Sequence, residues 1–313
     1  MTDRTEAIGS TGPDRPQAGR VVIVTGAGRG LGRAHALEFA RQGASVVVND
    51  LGAGREGGGR SGEPAQAVAE QIRAQGGQAV VNGEDVADWD GAGRLVRCAL
   101  DAFGRLDTLV NNAGFVRDRM LVSMTEAEWD DVVRVHLKGH FAPLRHAAGY
   151  WRDQAKVGAP VAARVVNTSS GAGLLGAIGQ GNYAAAKAGI ATLTVVAAAE
   201  LGRYGVTVNA IAPVARTRMT QAVFADRMAV PEGGFDAMAP ENVSPVVAWL
   251  GGPDSGRVTG RVLEVEGGTI TAVDGFRHGP STGRGSRWAV SEVGAAVEKL
   301  LAQAAVPEPV YGT

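Results

Sequence analysis

The chain has 313 residues, enough for one large domain or two small ones, and 45% of them are apolar, so a sizeable buried core is available. A formal net charge of −1 supplies no basic stripe for nucleic acid or a membrane surface, and a single cysteine, Cys98, excludes an internal disulfide and fits a reducing compartment. The start of the chain is polar, is broken by Gly and Pro and lacks the apolar middle of a secretory signal, and no apolar stretch reaches the roughly 20 residues that span a bilayer. Residues 1–19 therefore read as a disordered lead-in, and the protein as a cytoplasmic one.

From there, short β-branched runs alternate with longer helical patterns. Strands are expected at Val21–Thr25, Ala44–Asn49, Ala79–Val81, Thr108–Asn111, Arg164–Asn167 and Val206–Ala210, with Val262–Val265 a candidate seventh. Helices are expected at about 31–42, 64–75, 90–103, 126–150, 183–203 and 241–250. Cys98 falls within the third as core filler, and Thr125 with Glu128 makes a capping box that opens the fourth. Strands apolar on both faces and separated by helices imply an α/β fold: a doubly wound parallel sheet of about seven strands with helices on both faces. Ligands bind such sheets beyond the carboxyl ends of the strands. Gly52–Glu63 is a glycine-rich surface loop without a phosphate-loop lysine, and 213–240 is an irregular connection of the length used for lids. The organisation is thus a lead-in (1–19), a single catalytic domain (20–268) with its substrate lid (213–240), and a C-terminal extension (269–313). In that extension Val290, Val293, Val297 and Leu300 repeat at helical spacing, giving a short helix to pack on this subunit or a partner subunit.

The first strand ends in Thr25-Gly-Ala-Gly-Arg-Gly-Leu-Gly32, and a helix follows. Glycines there let the chain turn and a pyrophosphate approach the backbone, while the helix N-terminus offers free N–H groups. The second strand ends at Asp50, whose carboxylate accepts hydrogen bonds from the adenine ribose and repels a 2′-phosphate, which favours NAD over NADP. Arg29 and Arg33 pull the other way, since a cation near this point receives a 2′-phosphate. The fourth strand ends in Asn111-Asn-Ala-Gly114, whose small residues leave room for a cofactor and whose Asn111 is placed to tie neighbouring strands. Tyr183 and Lys187 lie four apart on one helix face. A free tyrosine titrates near 10, roughly, too high for acid–base work at neutrality, and a lysine cation one turn away lowers that value. Asn167-Thr-Ser-Ser170 closes the fifth strand with a hydroxyl able to polarise a reacting oxygen.

Taken in order, these pieces resemble the short-chain dehydrogenase/reductase family from about Val21 to Gly268. The resemblance implies a Rossmann-type catalytic domain with Ser170, Tyr183 and Lys187 as the catalytic group; the family's spacing favours Ser170 over Ser169. It implies a nicotinamide cofactor on Gly26, Arg29, Gly30, Leu31, Gly32, Asp50, Leu51, Asp85, Val86, Asn112, Ala113, Gly114, Tyr183, Lys187, Pro213 and Thr217, with Asp85 and Val86 beside the adenine and no metal. It also implies a homodimer or homotetramer built partly on the helices around 126–150 and 183–203.

Two departures from the family pattern stand out. His136 occupies a position where many members carry an asparagine whose main-chain carbonyl holds a water linking the lysine to solvent. The segment Pro213-Val-Ala-Arg-Thr-Arg-Met-Thr220 replaces the usual Pro-Gly. Together with residues 48–52, the glycine-rich insertion and 134–139, it resembles the (3R)-hydroxyacyl-CoA dehydrogenase unit of peroxisomal multifunctional β-oxidation enzymes. The expected reaction is NAD-dependent hydride transfer between the cofactor and a 3-hydroxyacyl or 3-oxoacyl thioester. A steroid or other secondary alcohol, and a catalytically silent dinucleotide-binding sensor or scaffold, are the alternatives. Arg216 and Arg218 are either solvated surface arginines or partners for CoA phosphates.

Overall fold

The computed structural model describes residues 15–54, 58–221, 226, 228–308 and 310. The expected lead-in lies outside these as far as residue 14. Residues 16–19 form a turn instead, fastened by Gln17, which is 1% exposed and donates Nε2 to the Ala248 carbonyl at 2.7 Å.

The β-branched runs become the buried centre of one sheet. Its strands are β1 (Val21–Thr25), β2 (Ser45–Asn49), β3 (Gln78–Asn82), β4 (Thr108–Asn111), β5 (Ala163–Thr168), β6 (Val206–Val214), β7 (Val262–Glu266) and β8 (Thr269–Val273). They lie in the order β3-β2-β1-β4-β5-β6-β7-β8. All neighbours are parallel except β7 and β8, which form an antiparallel hairpin. The sheet therefore has eight strands rather than about seven, and it continues past Gly268, where the catalytic domain was expected to end. Order reverses between β1 and β4, so the carboxyl ends of these strands open a crevice there.

Helices α1 (Gly30–Arg41), α2 (Glu63–Ala74), α3 (Trp89–Phe103), α4 (Glu126–Val133), α5 (Gly139–Lys156), α6 (Gly171–Leu175), α7 (Gly181–Leu201), α8 (Ser244–Leu250) and α9 (Val290–Leu301) follow the strands. Phe39 of α1, Ile72 of α2 and Leu250 of α8 pack on one face of the sheet with Val22, Val24 and Val46. Leu95 of α3, Leu144 and Trp151 of α5 and Ala197 of α7 pack on the other with Ile23, Leu109 and Val165. Cys98 sits half-buried at the margin of this second core.

Two helices depart from expectation. The stretch expected as one helix over 126–150 opens on its Thr125–Glu128 capping box but is interrupted by a π-turn at 134–138 between α4 and α5. Such turns widen a helix by one residue and often mark functional sites. Residues 181–204, α7 and the turn after it, are long and apolar enough by composition to cross a membrane, contrary to the sequence reading; here they pack against β6, α4 and α6. Toward the C-terminus α9 has no buried residue, and β8 is exposed along most of its length.

Candidate active site

At the carboxyl end of β1 the chain turns so tightly that only glycine fits. Gly26 has φ +63°, and a Cβ there would lie 2.8 Å from the Ala113 Cα. A Cβ on Gly32 would sit 2.1 Å from the Gly26 carbonyl oxygen. Asn112 locks the turn, donating Nδ2 to the Thr25 carbonyl at 2.9 Å, while Thr25 Oγ1 accepts from the Asn112 N–H at 2.9 Å. No side chain caps the N-terminus of α1, so its first-turn N–H groups remain open to an anionic ligand.

The turn forms one wall of a cleft that also holds Arg29, Gly30, Leu31, Asp50, Leu51, Asp85, Val86, Ala113, Gly114 and Thr217, all expected to contact a cofactor. Gly32, Pro213, Ser170, Tyr183 and Lys187 do not line this cleft; Gly32 lies beneath the turn. Asp50 accepts from the Gly28 N–H through Oδ2 and from the Gly52 N–H through Oδ1, each at 2.7 Å, so its carboxylate is held at the rim. Arg29 and Arg218 share that cleft, whereas Arg33 turns away and donates to Gln71 Oε1 at 2.9 Å. Asp85 is paired with Arg134 at 3.0 Å. A nucleotide-sized anion thus meets glycine backbone, a bare helix end and a ribose-level carboxylate, a set that fits a dinucleotide.

The second half of the site is built by β5, α6, α7 and the π-turn. Asn111 joins β4 to β5 by donating Nδ2 to Asn167 Oδ1 at 3.0 Å. Ser169 is spent structurally, donating Oγ to the Lys187 carbonyl at 2.9 Å. Ser170 is left at the cap of α6, where its Oγ accepts from the Ala172 N–H at 3.3 Å. Asn182 anchors the start of α7 by donating Nδ2 to the Glu128 and Arg117 carbonyls at 2.9 and 3.2 Å. That places Tyr183 half-buried, with Lys187 Nζ 5.5 Å from its ring centre. Lys187 is 2% exposed and donates Nζ to the Thr168 carbonyl at 2.6 Å; burial pulls its pKa down to about 7.

Sequence reasoning did not find the Thr168 carbonyl, because a main-chain acceptor leaves no residue-type signal. Nor did it find Asn182, although its place beside Tyr183 was a cue. Arg216 pairs with Asp236 and donates to the Met228 carbonyl at 3.2 Å, so among the described residues its guanidinium ties together the segment after β6.

A glycine turn at the switch point of a mostly parallel sheet is the build of a dinucleotide-binding α/β protein. The chain belongs to the short-chain dehydrogenase family, whose sequence profile matches residues 20–228, and it is an oxidoreductase acting on CH–OH groups. The family and fold imply a nicotinamide cofactor. The chain is 48% identical over 258 residues to the hydroxyacyl-CoA dehydrogenase ChsB1 of Mycobacterium tuberculosis, covering 82% of this chain and 80% of that one. It is 43% identical over 252 residues to mouse peroxisomal multifunctional enzyme type 2, covering 80% of this chain but only 32% of that much longer protein. A crystal structure of a short chain dehydrogenase from Mycobacterium avium superposes with a TM-score of 0.85 at 58% identity, over 95% of this chain and 99% of that one.

Proposed function

We propose that the protein is an NAD-dependent dehydrogenase of 3-hydroxyacyl thioesters, with CoA as the thiol. The observation that carries the chemistry is Lys187, buried and held by the Thr168 carbonyl one helical turn from Tyr183. The substrate class rests on the likeness to a relative named hydroxyacyl-CoA dehydrogenase over most of both chains.

Gly26, Arg29, Gly30 and Leu31 would hold the pyrophosphate, with Gly32 packed beneath the turn to keep it tight, Asp50 and Leu51 would hold the adenine ribose, and Asp85 and Val86 the adenine. Asn112, Ala113, Gly114 and Thr217 would border the nicotinamide half, with Pro213 at the end of β6 outside the cleft lining. A nicotinamide held in this cleft would supply the hydride acceptor for the hydroxyl-bearing carbon. Tyr183, as phenolate, takes the proton from the substrate hydroxyl. Ser170 donates a hydrogen bond to the same oxygen and fixes its direction. Lys187, held by the Thr168 carbonyl, would stabilise the phenolate and would offer its remaining N–H groups to the nicotinamide ribose. Asp50 selects NAD by repelling a 2′-phosphate. The enzyme works in the cytoplasm as a homodimer or homotetramer, built partly on α5 and α7.

The test incubates the protein with NAD or NADP and a panel of (3R)- and (3S)-hydroxyacyl-CoAs and sterols, following the absorbance of reduced cofactor. Turnover of one acyl-CoA enantiomer with NAD is expected, falling about 100-fold or more in Tyr183→Phe. Turnover of sterols alone, or with NADP alone, overturns the substrate or the cofactor assignment. NADH binding without any turnover revives the sensor reading.

A further inference from the structure

The π-turn at 134–138 brings His136 into the protein, where it is 1% exposed. Its Nε2 lies 2.6 Å from the Phe115 carbonyl oxygen and 3.1 Å from the Phe115 nitrogen. Its Nδ1 is buried and has no hydrogen-bond partner among the described residues. Burial, with the Lys187 cation nearby, pulls its pKa down to about 3, so the ring is neutral at any working pH. A neutral imidazole carries one N–H, so Nε2 serves the Phe115 carbonyl as a donor in one tautomer and the Phe115 N–H as an acceptor in the other, and in both the ring is held against the Phe115 peptide.

Two further contacts fix the ring in place. It stands edge-on to Tyr183 at 89°, with centroids 5.1 Å apart. Its Cε1 also fills the space beside Gly114 so completely that a Cβ on that glycine would lie 2.1 Å away. The glycine that ends Asn111-Asn-Ala-Gly114 is therefore explained in this chain by an imidazole. An asparagine at 136 is shorter and presents no aromatic edge to the phenol.

We propose that His136 is a positioning residue: with Gly114 as its obligatory partner, it sets the orientation of the Tyr183 ring and the Phe115 peptide. This rests on the reading of Tyr183 as the acid–base group. The imidazole touches neither substrate nor cofactor and exchanges no proton in the reaction. It acts by leaving the phenol one packed direction, so that the hydroxyl meets the reacting oxygen without a search among orientations.

The test is a double-mutant cycle on the full chain with Gly114→Ala, His136→Ala and the pair, beside Tyr183→Phe. Thermal unfolding without cofactor reads the packing. Steady-state kinetics on the best substrate, with NADH binding by fluorescence, read the positioning. Gly114→Ala is expected to lower the melting temperature sharply and His136→Ala to rescue it in the pair. His136→Ala alone is expected to lower kcat about tenfold or more, with KM and NADH affinity within about twofold. If Gly114→Ala does not fold, folding of the pair scores the coupling. Equal damage from Gly114→Ala in both backgrounds, or an unchanged kcat in His136→Ala, overturns the proposal. If instead Tyr183→Phe keeps full activity, the acid–base reading fails, while the thermal cycle still reports the packing by itself.

Discussion

Replacing Lys187 by methionine separates stability from catalysis. The lysine is 2% exposed, and burial lowers its pKa from 10.5 to about 7. The fold thus binds this proton less tightly than the unfolded chain does. The resulting cost is absent above 10.5, grows as pH falls, and is complete below about 7. At about 1.4 kcal/mol for each pH unit, that interval amounts to about 5 kcal/mol. Methionine fills a similar volume without charge but leaves the Thr168 carbonyl without its donor, which returns about 1–3 kcal/mol. The variant is therefore expected to be inactive yet more stable by about 2 kcal/mol or more at pH 6.5. Urea unfolding of both proteins without cofactor, at pH 6.5 and 9.5, checks this. The stability of the wild type should rise with pH relative to that of the variant, by about 3 kcal/mol. A variant less stable at pH 6.5, or two proteins with the same pH dependence, refutes the argument.

Other substitutions test the remaining parts. Asp50→Ala removes the carboxylate from a cleft that keeps Arg29 and Arg218, so the ratio of kcat/KM for NAD to that for NADP is expected to fall about tenfold or more. Arg216→Ala breaks the tie to Asp236 and the Met228 carbonyl, and it is expected to raise substrate KM more than it lowers kcat, with faster hydrogen exchange around 236–238. Gly205 has φ +80°, and a Cβ there would lie 2.2 Å from the Val161 carbonyl oxygen, so Gly205→Ala is expected to cost about 2–4 kcal/mol in urea unfolding while kcat in the folded protein stays unchanged.

What could be read from the residues followed from what each element buries. β1 is buried at every position and so announces itself as a run of valine and isoleucine. β8 is mostly exposed and has no such signature, yet Gly267-Gly268 between two short β-prone runs was a hairpin signal open to reading. At the proposed site, Ser170, Tyr183 and Lys187 could be named from the sequence because residue type suggests their chemistry. The Thr168 carbonyl and the meeting of His136 with Gly114 were not, since one is backbone and the other joins parts of the chain that only the fold brings together. The π-turn at 134–138 was passed over by a reading of one uninterrupted helix across 126–150, although its extra residue shifts later positions by about 100° around the helix.

The place of β1 in the sheet has a consequence for how the protein is made. Val22 and Val24 are fully buried between β2 and β4, but β4 begins only at Thr108. While the ribosome is still short of that point, β1, β2 and β3 can already pair, and their outer edge is bare and apolar. The nascent chain thus presents an open edge that the finished sheet closes, and yield is expected to respond to the speed of translation between β3 and β4 and to chaperones that cover that edge.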